Sequence, residues 1–559
     1  MNKKLWLSIA SAVIGAGLLV AVATAAPNAK SSSASSSAAK AQKGGTFTME
    51  LSTDIDYVDP QLTYYTPTWQ LHYATACKLF NWPDKEGDAG AVLTPEVAAG
   101  FPLVSNNGKT YVFTIKPGFK FSNGQAVTAQ SFKNAMERMA NPKMASQGSP
   151  FLDVVAGAQA AIDGKASNIS GVKVVGNKLS ITLIKSAPDF LARLSMPFFQ
   201  AIDTTLAKTI DPNGVQTYSS CGPYYFSAYT PNRSITLKRN PNYKGTRAAN
   251  VDTIQVNVGA SLEVMYQNTL KGTDDYAYGG IPPAEWSNVA KQFGVNKKDG
   301  RLQVRPQLVI NYVAMNHDRA LFKNNPQLAK AVNWSIDRQA YTAQGGFLAG
   351  KRSDQILPPG MAGYSDFNLY PLSVTGASVA KSKALASGNT RDGKAVIWAS
   401  NRGASPLRAQ IVQFNLKNLG IDSEIKLFPR AVQFGTAKIR AQATYDVTLE
   451  GWGADYSDPY DFINILLDGS QIDSNGNNNY AYYNSPKFNK QMQDAALIGG
   501  AARGAAYKKL DFDMMSQDPP WAPTHLSNDR VLLGPKTGCV VINEAAANGP
   551  DLAVVCKNK

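Results

Sequence analysis

The chain has 559 residues, too many for a single hydrophobic core, so two or three domains are expected. Apolar residues make up 44% and charged residues 17%, a globular balance that excludes a fibrous or wholly disordered protein. The formal charge is +15, yet its Lys and Arg are scattered, with no dense basic helix and no aromatic RNA-binding motif. No nucleic-acid partner is therefore expected, and the basic surface suits anionic envelope polymers or lipid headgroups.

"MNKK" is followed by the apolar run "LWLSIASAVIGAGLLVAVATA", which ends on the small-residue pattern Ala23-Thr24-Ala25. Residues 1–26 thus read as a secretory signal peptide or, since the run is long enough to span a bilayer, a retained N-terminal anchor. Either way the rest of the chain is expected outside the cytoplasm, in a periplasm or on the outer membrane face. Residues 27–44 are Ser/Ala-rich and read as a flexible linker, with folding expected from about Gly45.

"TFTMEL" alternates like a strand, and Trp69, Leu71, Tyr73, Ala76 and Phe80 repeat at helical spacing. "KTYVFTI" reads as a strand that turns at Pro117-Gly118 and returns along "FKFSNG". Thr128 suits the N-cap of a helix with Phe132, Ala135, Met136 and Met139 on one side. "YYFSAY", "SITLKR" and "VDTIQVNV" form an antiparallel set, "NYVAMN" is strand-like, and "NNPQLAKAVNWSID" is a helix with Pro326 in its first turn.

At 395–428 a strand "AVIWAS", a helix from Ser405-Pro406 with Ile411, Phe414 and Leu419 inward, and a strand "EIKLF" make a βαβ unit of a mostly parallel sheet. The next strand, "YDVTLEG", runs into "GWGADYSDPYDF", where three carboxylates and four aromatic rings crowd the carboxyl edge usual for ligand sites.

Four cysteines in an exported chain permit disulfides, with three pairings available. Cys539 and Cys556 bracket a short segment and are expected to pair locally, leaving Cys77 with Cys221; free buried thiols are the alternative.

His72, His317 and His525 are widely separated, and no nucleophile elbow, zinc spacing or phosphate loop occurs, so neither cofactor nor metal is expected. "DSNGN" at 473–477 lacks the closing glutamate of a calcium loop. Asp455, Asp458 and Asp461 leave a secreted glycan hydrolase as a remote alternative, disfavoured because Asp458-Pro459 prefers a turn.

The segments "GGTFTMEL…DYVDPQ", "GKTYVFTIKPGFKFSNGQAVTAQSFKNAMERM", "CGPYYFSAYTPNRSITLKRNPNYKG", "YVAMNHDRALFKNNPQLAKAVNWSIDR" and "GWGADYSDP" follow one another in family order. Together they resemble the extracytoplasmic solute-binding proteins of ABC importers, in the oligopeptide/dipeptide-binding class known as family 5. The resemblance implies an α/β two-lobed clamshell of the periplasmic-binding-protein type II with an additional domain. Lobe I would comprise 45–82 with 203–306 and 524–559, the extra domain 83–202, and lobe III 307–523. All four cysteines then fall in lobe I.

The same resemblance implies a non-enzymatic, monomeric receptor that hands peptides to a membrane permease, reaching the membrane surface through that transporter or an anchor. Asp455 would receive the ligand's α-ammonium, with main-chain bonds along Gly451, Trp452 and Gly453 and walls from Trp452 and Tyr456. The opposing lobe would supply Tyr65, Thr68 and Trp69. Relatives on this fold also bind oligosaccharides or metal chelates, which remain alternative ligands. The chain departs from the family in lacking a lipid-anchor cysteine and in placing Cys221 before Gly222-Pro223-Tyr224.

Overall fold

The computed structural model describes residues 41–298, 300–546 and 549–558, so the expected signal or anchor at 1–26 lies outside the described residues. Within the expected linker, Ala41–Gln42 already pairs antiparallel with Cys556–Asn558, so strand pairing begins before Gly45. Among the described residues no helix is long and apolar enough to cross a membrane.

The first lobe is built on a five-stranded sheet. Its order is Tyr276–Ala277, Thr46–Leu51, Thr253–Val258, Ser234–Arg239, Tyr224–Thr230. The last three form the expected antiparallel set, whereas Thr46–Leu51 runs parallel to its neighbours. Alternation puts Phe47, Met49, Ile235, Leu237, Ile254 and Val256 into one core. The helix expected over 69–80 instead spans Thr66–Thr75, with Pro67 in its first turn. It stops because Gly222 N–H takes the Thr75 carbonyl at 2.8 Å, an approach so close that a Cβ on Gly222 would lie 2.5 Å from Thr75.

A second core belongs to the segment between the first two cysteines. The strand Thr110–Thr114 is paired by Leu103–Ser105 and Lys178–Thr182. "FKFSNG" makes only one bridge, Lys120 to Ala126, so the expected returning strand is absent. One edge pairs with Leu103–Ser105 just upstream and the other with Lys178–Thr182, beyond the reach of hairpin logic, and Phe119 and Phe121 are spent on the core instead. The helix Ala129–Ala140 starts as expected at Thr128, with a reciprocal capping box to Ser131, and buries Phe132, Ala135, Met136 and Met139.

The other lobe carries a six-stranded sheet, ordered Gly350–Arg352, Trp521–Leu532, Leu302–Met315, Val447–Gly453, Lys394–Ser400, Asp422–Phe428. Only the last two pairings are parallel, so the sheet is mixed and not mostly parallel. The strand–helix–strand unit itself is present, with helix Ser405–Asn418 between parallel strands. Its inward face is Ala409, Val412, Leu416 and Leu419, while Phe414 is 63% exposed. The small Ala409 lets the helix sit on the sheet, which rotates Ile411 and Phe414 away from it.

Two long strands, Leu302–Met315 and Trp521–Leu532, run from one lobe into the other. Leu302, Val304 and Leu532 pack with Tyr266 and Trp286, whereas Ile310, Tyr312, Trp521 and Leu526 belong to the six-stranded lobe's core. Their register breaks between Pro306 and Ile310. Proline offers no N–H to the ladder, so the strands are weakest where they cross between lobes.

Cys77 pairs with Cys221 and Cys539 with Cys556, each with Cα atoms 5.3–5.4 Å apart. The first bridge closes a span of 144 residues that supplies most of the second core. Replacing both Cys77 and Cys221 by Ser is expected to cost about 2–4 kcal/mol, measured as a lowered urea midpoint at unchanged slope.

Candidate functional site

The strand Val447–Gly453 ends beside a cavity of about 310 Å³. Residues from both lobes and from the crossing strands line it: Tyr64, Thr66 and Trp69 on one side, Phe434 and Trp452–Asp455 on the other, with Leu308, Val309 and Glu544–Ala546 between. One edge of the strand is bonded to the crossing strand, with Asn311, Ile310 and Val309 opposite Gly451, Trp452 and Gly453. The other edge is strand-paired only at Val447 and Thr448, so among the described residues no strand covers it along 449–453.

The three carboxylates of the crowded stretch do three different things. Asp458 is buried in an ion pair with Arg503 at 2.6 Å and accepts Tyr460 N–H at 2.8 Å, fixing the entry to helix Tyr460–Leu467. Asp461 is fully buried, where its Oδ2 accepts Asp455 N–H at 2.9 Å and Trp452 Nε1–H at 3.3 Å. Burial, reinforced by the nearby Asp455 charge, pushes Asp461 well above the ordinary carboxylate range, and its two hydrogen bonds clamp the loop.

Only Asp455 faces the cavity. Its Oδ2 accepts the Tyr64 hydroxyl at 2.7 Å from the opposite lobe. Burial raises it to about 7; the Tyr64 hydrogen bond and the Lys438 charge pull the other way. No Lys, Arg or His nitrogen among the described residues lies within ion-pair distance of it.

Tyr64 is held by a turn that the sequence analysis did not single out. Asp56 accepts the backbone N–H of Tyr64 at 2.6 Å and of Tyr65 at 3.0 Å, and the hydroxyls of Thr63 and Thr68 at 2.7 and 2.8 Å. This knot aims Tyr64 into the cleft and packs its ring edge-on to Trp69 at 5.7 Å.

Trp69, Trp452, Gly453 and Asp455 thus meet at the cavity, with Gly451 just behind on the strand. The remaining expected residues are placed differently. Thr68 is fully buried on Asp56, and Tyr65, the residue before the helix, is 57% exposed. Tyr456 is not a wall of the cavity: its ring is buried in the second core against Phe151, and its hydroxyl bonds Asp189 at 3.0 Å. Sequence reasoning missed Tyr64, Phe434 and Glu544. The Tyr64-Tyr65 pair was a usable signal, because the residue before a helix turns outward; nothing local marks Phe434 or Glu544.

The three histidines are buried, and burial lowers them to about 3, 4 and 3 for His72, His317 and His525, leaving neutral core rings. At 473–477 the Asn477 side chain bonds back to Asp473, closing an ordinary turn.

The family model for bacterial extracellular solute-binding proteins, family 5, matches residues 92–474. The oligopeptide-binding protein OppA of Bacillus subtilis is 28% identical over 443 residues, covering 76% of this chain and 78% of that protein. A dipeptide-binding protein of Lactococcus lactis is 26% identical over 445 residues, covering 74% and 75%. The solved clavulanic acid biosynthesis oligopeptide binding protein 2 superposes with a TM-score of 0.84 at 22% identity, covering 93% and 96%. The Helicobacter pylori DppA complex with the peptide STSA gives 0.74 at 18% identity, covering 93% and 99%. With its lobes joined by two crossing strands, a cleft between them and a family match over most of its length, this chain belongs to the bacterial extracellular solute-binding proteins of family 5.

Proposed function

We propose that this protein captures peptides in the interlobe cleft and delivers them to the permease of an ABC importer, without turning them over. The observation that carries this reading is Asp455, a carboxylate in a cavity with no Lys, Arg or His nitrogen within ion-pair distance among the described residues, which accepts the Tyr64 hydroxyl of the other lobe. A desolvated negative charge of this kind calls for a cationic ligand group, and an α-ammonium supplies one. The edge beside it at 451–453, which no strand covers among the described residues, suits the extended backbone of a peptide, read through main-chain bonds whatever its side chains.

On this reading the lobes divide at 82/83, 202/203, 306/307 and 523/524, of which 306/307 lies at the register break in the crossing strands. Ligand favours the shut form by binding it more tightly than the open one. The receptor works outside the cytoplasm as a monomer, held at the membrane by its transporter or by residues 1–26.

Calorimetric titration with trialanine and N-acetyl-trialanine tests this. The free peptide is expected to bind and the acetylated one to bind far more weakly; equal affinities refute the role of Asp455. The pH dependence has a definite sign. Because the empty-site carboxylate sits near 7, it is ionised above that pH and protonated below it. Affinity for the free peptide is therefore expected to fall by up to about tenfold per unit as pH drops from 7 to 5. Mass spectrometry of the incubated peptide should show no cleavage product.

A further inference from the structure

The peptide-binding cavity holds a second carboxylate with no assigned part in the reading above. Glu544 lines it, and among the described residues its Oε2 accepts the Gly87 N–H at 3.3 Å. Its position is nevertheless built. On the residue before it, Asn543 donates to the carbonyls of Pro83 at 2.7 Å and Gly90 at 3.2 Å and accepts Ala545 N–H at 2.9 Å. Ile542 N–H is held by Glu86 at 3.1 Å. The backbone before Glu544 is thus pinned to 83–90, Ala545 is tied back to Asn543, and Glu544 lines the cavity.

The lining has two carboxylates, four aromatic rings (Tyr64, Trp69, Phe434 and Trp452) and no Lys, Arg or His. This is the reverse of the protein as a whole, which carries +15. Neighbouring cations are committed elsewhere: Arg305 to Glu86 at 2.8 Å, and Arg430 to Glu450 at 3.4 Å and to the ring of Phe434. Lys438 acts on Asp455 from outside the lining. Carboxylates set among aromatic faces are the chemistry that holds organic cations, through charge-assisted hydrogen bonds and ring quadrupoles together. One α-ammonium satisfies Asp455 and leaves Glu544 without a counter-charge in the shut cleft.

Resting on the peptide reading, we propose that the cavity selects peptides carrying a second positive charge, a lysine or arginine side chain, with Glu544 as its counter-ion and the aromatic walls along its stem. Glu544 is then a specificity-determining residue, distinct from the Asp455 anchor common to all ligands.

The test titrates wild type and Glu544→Gln, by calorimetry at pH 8, with tripeptides bearing lysine at the first, second or third position and with norleucine counterparts of the same length. Wild type is expected to prefer lysine over norleucine by about 10- to 100-fold at one position, the range for a charge-assisted bond. Glu544→Gln is expected to abolish that preference, and a urea midpoint matching wild type shows that the variant is folded. Equal binding of lysine and norleucine peptides by wild type, or a preference that survives in the variant, overturns the proposal and leaves peptide capture standing. Failure of every peptide to bind wild type overturns peptide capture, and this proposal with it.

Discussion

Replacing Asp455 by Asn is expected to weaken binding of a free-amino-terminus peptide by about 2–5 kcal/mol at pH 8, the usual loss on truncating one side of a buried charge pair. Asparagine keeps the size of the side chain, and its carbonyl still accepts the Tyr64 hydroxyl, so the cleft retains its shape. What disappears is the charge alone. The Asp461 clamp bonds the backbone of residue 455, and that bond does not involve the substituted side chain. The N-acetylated peptide should accordingly bind wild type and variant alike. A variant that still favours the free peptide would place the ammonium elsewhere in the cavity.

The second large effect concerns stability. Asp59 and Arg138 are both fully buried, paired through both guanidinium ends, with Nη1 at 2.6 Å from Oδ1. Arg138 also donates to Gln61 at 2.7 Å and to the Thr209 carbonyl at 2.8 Å. This pair rivets the loop leading to Tyr64 onto helix Ala129–Ala140. Asp59→Ala would strand a guanidinium in the core, and the expected cost is about 3–5 kcal/mol. A joint Asp59→Leu, Arg138→Met substitution should recover much of that loss, because neither charge is then left alone. Urea midpoints of the single and double variants decide the matter.

The antiparallel set at 224–258, the Thr128 helix and the strand–helix–strand unit were legible because their determinants are local: alternation, a turn residue, a cap. Cys77 and Cys221 were legible by elimination once Cys539 and Cys556 were taken as neighbours. The failures share another cause. The downstream partner of Thr110–Thr114, Lys178–Thr182, lies far along the chain, and the outward turn of Phe414 depends on which sheet its helix meets. Tyr456 is the sharpest case. One position from Asp455, it turns its ring the other way, into a core supplied by residues 69–221 and tied to Asp189. Asp455 and Tyr456 lie in the bend beyond strand Val447–Gly453, and the turn of the Tyr456 ring is set by Phe151 and Asp189 from a distant segment, which no local motif reveals.

The Cys77–Cys221 bridge has a bearing on how the molecule would survive in a protease-rich exterior. It ties together both ends of the segment that forms the second core, so a single backbone cut anywhere from 78 to 220 would release no fragment. The severed chain would migrate intact on a non-reducing gel and part into two pieces only after reduction.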